Sequence, residues 1–239
     1  MSKHDDFEHP RRRFLETMLA AGMYSLGSGI LVPNQSLAMG KVPTQLEPGK
    51  SIYDLSGDVT VNGKKATETT VINSGSTLVT GSNSHLIFAV GKDAFIMREN
   101  SRLEMSGNGF VVNTLNLLKG KLLSVFGKSR HKIQTPTVTV GIRGTGIYVE
   151  ADPDVSYVCT CYGSVELTST TDPKSNEIIT ASHHDDPKYI HAEGRTGKKI
   201  EPGPFINHTD LELALIEELV GRSLPYMPGD AYDGPRRSY

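Results

Sequence analysis

The stretch that decides the fold is LIFAVGKDAFIM, residues 86–97. Large apolar residues recur at a spacing of two up to Val90, the turn residues Gly91–Asp93 interrupt them, and the same spacing resumes from Phe95. Side chains alternate between the two faces of a β-strand, so this pattern predicts two short strands joined by a tight turn.

The same pattern extends outward from this stretch in both directions. Asn62-Gly63 is a dipeptide typical of tight hairpin turns, and Gly107–Gly109 ends another alternating segment. A longer alternating segment runs from Val155 to Leu167. Because no helix-period segment lies among them, residues 51–167 predict an all-β domain, either a sandwich of short strands or a solenoid-like fold.

The C-terminal part follows a different pattern. Thr209 and Glu212 have the spacing of a capping box, apolar residues then recur at helical spacing, and Gly221 stands where a helix would end. One helix is therefore predicted over residues 209–221. Residues 168–208 are interpreted as a polar connector, ordered only in part, and residues 225–239 as a flexible tail.

The N-terminal residues 1–38 have the pattern of an export signal. Arg11 and Arg12 precede Phe14 and Leu15, a weakly apolar run follows, and small residues lead to a cleavage position after Ala38. The pattern resembles a twin-arginine signal, a route that carries folded cargo, and it predicts a periplasmic protein. An uncleaved signal anchoring the chain in the membrane is the less favoured alternative.

The composition limits the classes of function. The chain has 25 Lys and Arg against 27 Asp and Glu, a net charge of −2, and its basic residues are scattered along the sequence. A protein that coats nucleic acid needs clustered positive charge, so nucleic acid is not an expected partner. The remaining expectation is a partner protein or a ligand of the cell envelope, whose identity the sequence leaves open.

Several blocks of the sequence resemble, in order, the blocks of the FecR domain. They begin with Gly57–Gly63 and continue through Leu118–Leu122 and Ile133–Thr137. The clearest block is Val140–Thr145, which is similar to the V-G-x-R-G-T of that family. The resemblance covers about residues 51–166 and implies a FecR-type all-β periplasmic domain that senses or binds a ligand without catalysis.

FecR-type regulators of iron-siderophore transport genes also carry a cytoplasmic anti-sigma segment and a membrane span ahead of this domain. Only some 40 residues precede the domain here, and they have the pattern of the export signal. The expectation is therefore a secreted interaction or sensing domain without the transmembrane signalling role.

The residues of the clearest block also have a physical interpretation of their own. Pro136 after Thr135 favours extended backbone, and Gly141 and Gly144, before Thr145, allow bends between strands. An arginine in such a bend can donate up to five hydrogen bonds to nearby carbonyls. Arg143 is therefore predicted to clamp neighbouring turns, and binding of an anion is the alternative role.

Cys159 and Cys161 are the residues that most suggest a site. At a spacing of two on one strand, both thiols share a face, predicted to be that of Tyr157, Val165 and Leu167. That spacing does not suit a disulfide within a regular strand.

Three interpretations of the cysteines stay open. The thiols are plain core residues, or they form a strained or intermolecular disulfide, or they bind zinc or iron together with histidine. The candidate histidines are His183, His184 and His191.

No nucleophile with a neighbouring base, no zinc-protease helix and no phosphate-binding loop can be recognised. The first hypothesis is accordingly a non-catalytic exported FecR-type domain. A metal-binding periplasmic protein using Cys159, Cys161 and histidine is the second hypothesis, and an envelope glycan-acting enzyme with no residues assigned is the third.

Overall fold

The computed structural model describes residues 45–195 and 198–226. Within them the chain forms fourteen β-strands and a C-terminal helix, so the prediction of an all-β fold with one helix at its end is confirmed. Among the described residues, no helix combines the length and apolar character needed to cross a bilayer. The predicted export signal and the end of the predicted tail lie outside the described residues.

The strands, in chain order, are β1 (Ile52–Ser56), β2 (Val59–Val61), β3 (Lys64–Lys65), β4 (Thr77–Thr80), β5 (His85–Val90), β6 (Asp93–Met97), β7 (Arg102–Asn108), β8 (Val111–Val125), β9 (Arg130–Gln134), β10 (Val138–Ala151), β11 (Val155–Ser169), β12 (Asn176–Ala181), β13 (Lys188–Arg195) and β14 (Lys198–Pro202). They join one hydrogen-bonded sheet in which every described pair is antiparallel except β8 with β9. Residues 86–97, the stretch that predicts the fold, form most of β5 and β6, with the predicted turn between them.

The main core lies on one side of this sheet. It collects buried aliphatic and aromatic side chains from nearly every strand, among them Leu86, Phe88 and Phe95 of the deciding stretch. Phe88 and Phe95 stack with their ring centroids 4.8 Å apart. Removing this apolar surface from water is the main term that stabilises the fold.

The other side of the sheet is covered in part by the helix α1 (Asp210–Leu219), which packs on β5, β6 and β8. Cross-strand partners form a continuous row on this face, running through Ile87, Ile96, Leu123, Tyr148 and Cys159. All five side chains are buried. The first cysteine thus lies at the end of an apolar row that continues beneath the helix.

The capping box predicted for α1 is present. Thr209 Oγ1 accepts the backbone N–H of Glu212, and the Glu212 carboxylate accepts the backbone N–H of Thr209. Gly221 follows with a φ of +70°, as expected for a helix C-terminus.

Two long strands change faces at glycines, which the sequence interpretation did not anticipate. The glycines of residues 141–146 were expected to separate strands, but β10 continues through them with a shifted register opposite Gly163 of β11. Gly144 and Gly163 have φ values of +55° and +90°. Such a bulge reverses the alternation of the side chains beyond it.

The interpretation of residues 168–208 as a connector ordered only in part is wrong, because β12, β13 and β14 lie there. β12 pairs with β11 in an unbroken antiparallel register, and β13 pairs with both β11 and β14. These strands lie near the margin of the sheet and bury only a few side chains, among them Ile179 and Ile190, so their composition is polar although their backbone is paired.

Candidate metal centre

Cys159 and Cys161 share one face of β11, as predicted, but it is the face turned toward α1. Val165 and Leu167 belong to the main core on the opposite side, together with Val158. The prediction that Val165 and Leu167 share a face with the cysteines is therefore wrong, whereas Tyr157, whose ring contacts Tyr148, shares that face as predicted. The bulge at Gly163 lies between the two groups and exchanges the faces.

Two histidines face the two thiols. His184 Nδ1 lies 3.5 Å from Cys159 Sγ, and His208 Nε2 lies 3.4 Å from Cys161 Sγ. The two imidazole nitrogens are 3.1 Å apart, and all four donor atoms lie within 4.8 Å of one another. We call these four residues the metal centre; each of them is buried, with at most 3% of its surface exposed.

The chain fixes His184 from both sides. Its backbone adopts a left-handed conformation with a φ of 53°, and its backbone N–H donates to the carbonyl of Cys161 at 3.0 Å. A residue with a side chain seldom adopts this conformation, so the hydrogen bond and the packing must hold it there. Phe205 closes the centre, with its ring centroid 4.6 Å from the rings of both His184 and His208.

A second layer of acceptors fixes which ring nitrogen carries the proton. His208 Nδ1 lies 2.7 Å from the carbonyl oxygen of Ile206, and His184 Nε2 lies 2.9 Å from Asp210 Oδ1. Both partners accept hydrogen bonds, so the protons occupy these outer nitrogens. The inner nitrogens that face each other then carry lone pairs, which repel unless a cation or an added proton lies between them.

Asp210 is the residue that orients the histidines. Its other oxygen accepts from His183 Nε2 at 2.8 Å, and the Tyr226 hydroxyl donates to Oδ1 at 3.0 Å. Burial raises the pKa of Asp210, but the hydrogen bonds from His184 and His183 outweigh it and lower the pKa to about 2. An ionised carboxylate behind a histidine is the usual partner of a metal-ligating imidazole.

The pKa values of the two thiols shift in opposite directions. Burial raises the pKa of Cys159, but the hydrogen bond from Cys161 and the imidazoles of His208 and His184, when protonated, bring it well below its usual value. Burial and the neighbouring Cys159 thiolate hold the pKa of Cys161 well above its usual value. Two thiolates at this buried position therefore need positive charge beside them, which a divalent ion would supply.

Three of the six separations among the donor atoms can be compared with a tetrahedral ion. Donor atoms about 2.3 Å (sulfur) and 2.0 Å (nitrogen) from zinc lie roughly 3.3 to 3.8 Å from one another. The two sulfur–nitrogen separations of 3.5 and 3.4 Å fall within that range, and the nitrogen–nitrogen separation of 3.1 Å lies just below it. A set of two sulfurs and two nitrogens is typical of zinc or of iron bound to thiolates.

The structure separates the predicted ligands. It brings together Cys159, Cys161 and His184, but it places His183 on Asp210, outside the four donors. His191 lies on β13 with Nε2 3.8 Å from Glu201. Both cysteines are free thiols, so no disulfide joins them within the described chain, and an intermolecular disulfide stays untested.

The fourth donor, His208, is not among the histidines that the sequence analysis proposed. It stands directly before the N-cap residue Thr209. Its position in the sequence could have indicated it. The capping box fixes the backbone at the start of the helix, and so it also fixes where the side chain of the preceding residue lies.

Arg143 does not clamp neighbouring turns. Its side chain is exposed, and none of the hydrogen bonds or ion pairs found among the described residues involves its guanidinium. The predicted clamp is therefore not supported. The other residues of that motif lie away from the metal centre: Thr135 and Thr145 are buried, Pro136 is exposed, and Gly141 and Gly144 are half-buried.

Comparison with known proteins assigns no family. No family model matches the sequence, and no curated protein matches it. Two crystal structures, each of a candidate anti-sigma factor from Parabacteroides distasonis, share 11% identity with the chain at a TM-score of 0.44. The first match covers 53% of this chain and 58% of the other, and the second covers 60% and 73%.

Proposed function

We propose that this protein is a non-catalytic metal-binding β domain in which Cys159, Cys161, His184 and His208 bind one Zn²⁺. The observation that carries the proposal is the 3.1 Å separation of two imidazole nitrogens whose outer N–H groups are already donated elsewhere. Two thiols complete the donor set at 3.4 and 3.5 Å. A dication satisfies both lone pairs and both sulfurs at once.

A structural role follows from the closed geometry. Four protein donors fill a tetrahedral coordination shell, whereas catalytic zinc keeps an open position for water. All four side chains are buried, so substrate has no route to the ion. The ion would instead tie the segment before β13 and the segment before α1 to the strand β11.

The wider role that we propose is that of an exported interaction domain of the FecR type. The ordered sequence blocks up to Thr145 and the twin-arginine pattern at Arg11 and Arg12 support it. A metal bound in a closed site suits an export route that carries folded cargo. The metal centre would keep the domain folded in an oxidising compartment by holding both sulfurs as ligands.

Metal analysis of the purified protein tests the metal centre. We expect one equivalent of zinc by mass spectrometry, and a tetrahedral thiolate spectrum when the protein is refolded with Co²⁺. Cys161→Ser and His208→Ala should each lose the bound metal and lower the melting temperature together, because each removes a ligand.

His191→Ala is the matched control, since His191 lies outside the donor set and should leave the metal content unchanged. Metal-free wild-type protein that stays metal-free after refolding with zinc, and whose thiols react only when it is denatured, would show that the cysteines are plain core residues.

A further inference from the structure

The sheet face that α1 leaves uncovered carries a group of exposed cations. Arg130 and Lys132 project from β9, Arg143 from β10, and Lys128 lies in the segment before β9. We call these four residues the basic face. The cations come from two segments of the chain, which explains why the basic residues look scattered in the sequence.

The pairing of the strands fixes the spacing of the basic face. Arg143 lies directly opposite Arg130 in the antiparallel pair β9–β10, so their Cβ atoms are about 5 Å apart. Arg130 and Lys132 are two residues apart on one strand, or roughly 7 Å. Lys128 lies against Gly144, where a Cβ would be 3.8 Å from the Lys128 backbone.

The charges of the basic face are not balanced by the domain. Among the described residues, none of the four cations takes part in an ion pair or a hydrogen bond of its side chain. Like charges directly opposite in a sheet destabilise it, so the Arg130–Arg143 pair costs stability. One exposed acid, Glu166 of β11, lies on the same face and pairs in register with Gly141, which separates it from Lys132.

The surroundings of the basic face are rich in hydrogen-bonding groups. Gly141 lies beside Lys132 in register and has no side chain to project above the sheet. Hydroxyl and amide side chains occupy the neighbouring outward positions of β8 to β11: Thr114, Asn116, Gln134, Thr139, Ser164 and Thr168. One large apolar side chain lies at the margin, because Ile178 of β12 is 71% exposed and pairs in register with Glu166. A single aliphatic side chain does not form the apolar surface that inserts into a bilayer, and none of the neighbouring side chains is an aromatic group that would stack on bases.

We propose that the basic face binds an anionic polysaccharide. Its arginine and lysine side chains would pair with carboxylates spaced along the polymer, and the flanking hydroxyl and amide groups would bond to sugar hydroxyls. The exposed strands β9 and β10 present these groups in a row along which an extended sugar chain could lie. This inference is independent of the metal centre, which lies on the half of β11 beyond the bulge.

Binding of fluorescein-labelled polygalacturonate to the full mature chain tests the proposal. The triple variant Arg130→Gln, Lys132→Gln, Arg143→Gln should bind about tenfold more weakly, because three exposed ion pairs are lost. Glu166→Gln should bind about twofold more tightly, because it removes an exposed acid from the row of Lys132. Binding of the wild type should weaken as salt is added.

The matched control is the triple variant Lys64→Gln, Lys65→Gln, Lys198→Gln. It removes the same charge from exposed lysines of β3 and β14, at the two ends of the strand order, and should bind within twofold of the wild type. Circular dichroism and metal content verify that each variant is folded.

The proposal is overturned if the wild type fails to bind polygalacturonate at low salt, or if both triple variants lose affinity equally. It is also overturned if vesicles of phosphatidylglycerol or single-stranded DNA bind the wild type more tightly than the polysaccharide does. Neutral dextran should not bind any of the proteins.

Discussion

Gly163 decides which residues can meet in the metal centre. Its φ of +90° lets β11 bulge between Cys161 and Val165, so the cysteines face the helix while Val165 faces the main core. A residue with a Cβ would be strained at this φ. The added atom would also lie 2.3 Å from Thr145 Cγ2 and 3.1 Å from the carbonyl oxygen of Gly144.

Gly163→Ala should therefore lower the free energy of unfolding by about 2 kcal/mol or more and reduce the bound zinc. Gly49→Ala is the control, because Gly49 has nearly the same φ, +89°, with no atom within 4 Å of the added Cβ. It should cost only about 1 kcal/mol. Urea unfolding measures both; equal losses with unchanged metal content would show that the bulge does not position the cysteines.

The helix α1 connects the metal centre with the body of the sheet. Glu212 is buried in its first turn, closes the capping box with Thr209, and forms an ion pair with Arg98 at 2.6 Å. His208 and Asp210 flank the N-cap residue, so the position of this turn fixes one ligand and the carboxylate behind another. The start of the helix and the metal centre therefore depend on each other.

Glu212→Gln should lower the free energy of unfolding by about 2 kcal/mol, because the partly buried guanidinium of Arg98 loses its counter-charge. Glu218→Gln is the matched control on the exposed side of the same helix and should change stability by less than about 0.5 kcal/mol. Chemical denaturation of the two variants makes the comparison. A loss in Glu212→Gln as small as that of the control would mean that the ion pair contributes nothing.

At the scale of the whole molecule, the outer side of the sheet is divided into two parts at the bulge of β10 and β11. Beyond it, the row from Ile87 to Cys159 is covered by α1 over β5, β6 and β8 and by His208 and His184 over Tyr148 and Cys159, and it holds the metal centre. Before it, the face around Arg143 stays open and basic. The domain thus separates a closed site that we assign to folding from an open surface that we assign to binding.

Export of the whole chain provides a further prediction. Replacing Arg11 and Arg12 by Lys should leave the precursor in the cytoplasm, whereas Arg13→Lys, at the free position of the pattern, should not. Cell fractionation and immunoblotting measure this. Normal periplasmic yield of the doubly substituted protein would contradict the twin-arginine assignment.

A double variant of the cysteines tests whether export depends on the metal centre. Cys159→Ser with Cys161→Ser should also lower the periplasmic yield, because a chain that cannot bind its ion folds less completely before transport. Unchanged yield of this variant would mean that folding before export does not require the ion.

The sequence by itself determined the local structure of this protein. Alternation and turn residues predicted β5 and β6, and the capping box predicted α1, because these patterns depend on neighbours within a few residues. The spacing of Cys159 and Cys161 also predicted that their thiols share a face.

Only the tertiary structure decided which distant residues meet. His208 rather than His183 completes the donor set, since the direction of α1 fixes it and no spacing in the sequence encodes that direction. Arg130 and Arg143 are neighbours because of the β9–β10 register. β13 pairs with β11, although its polar sequence does not indicate a strand. The physical reason is that strand register and bulges join residues far apart in the chain, whereas periodicity reports only local backbone geometry.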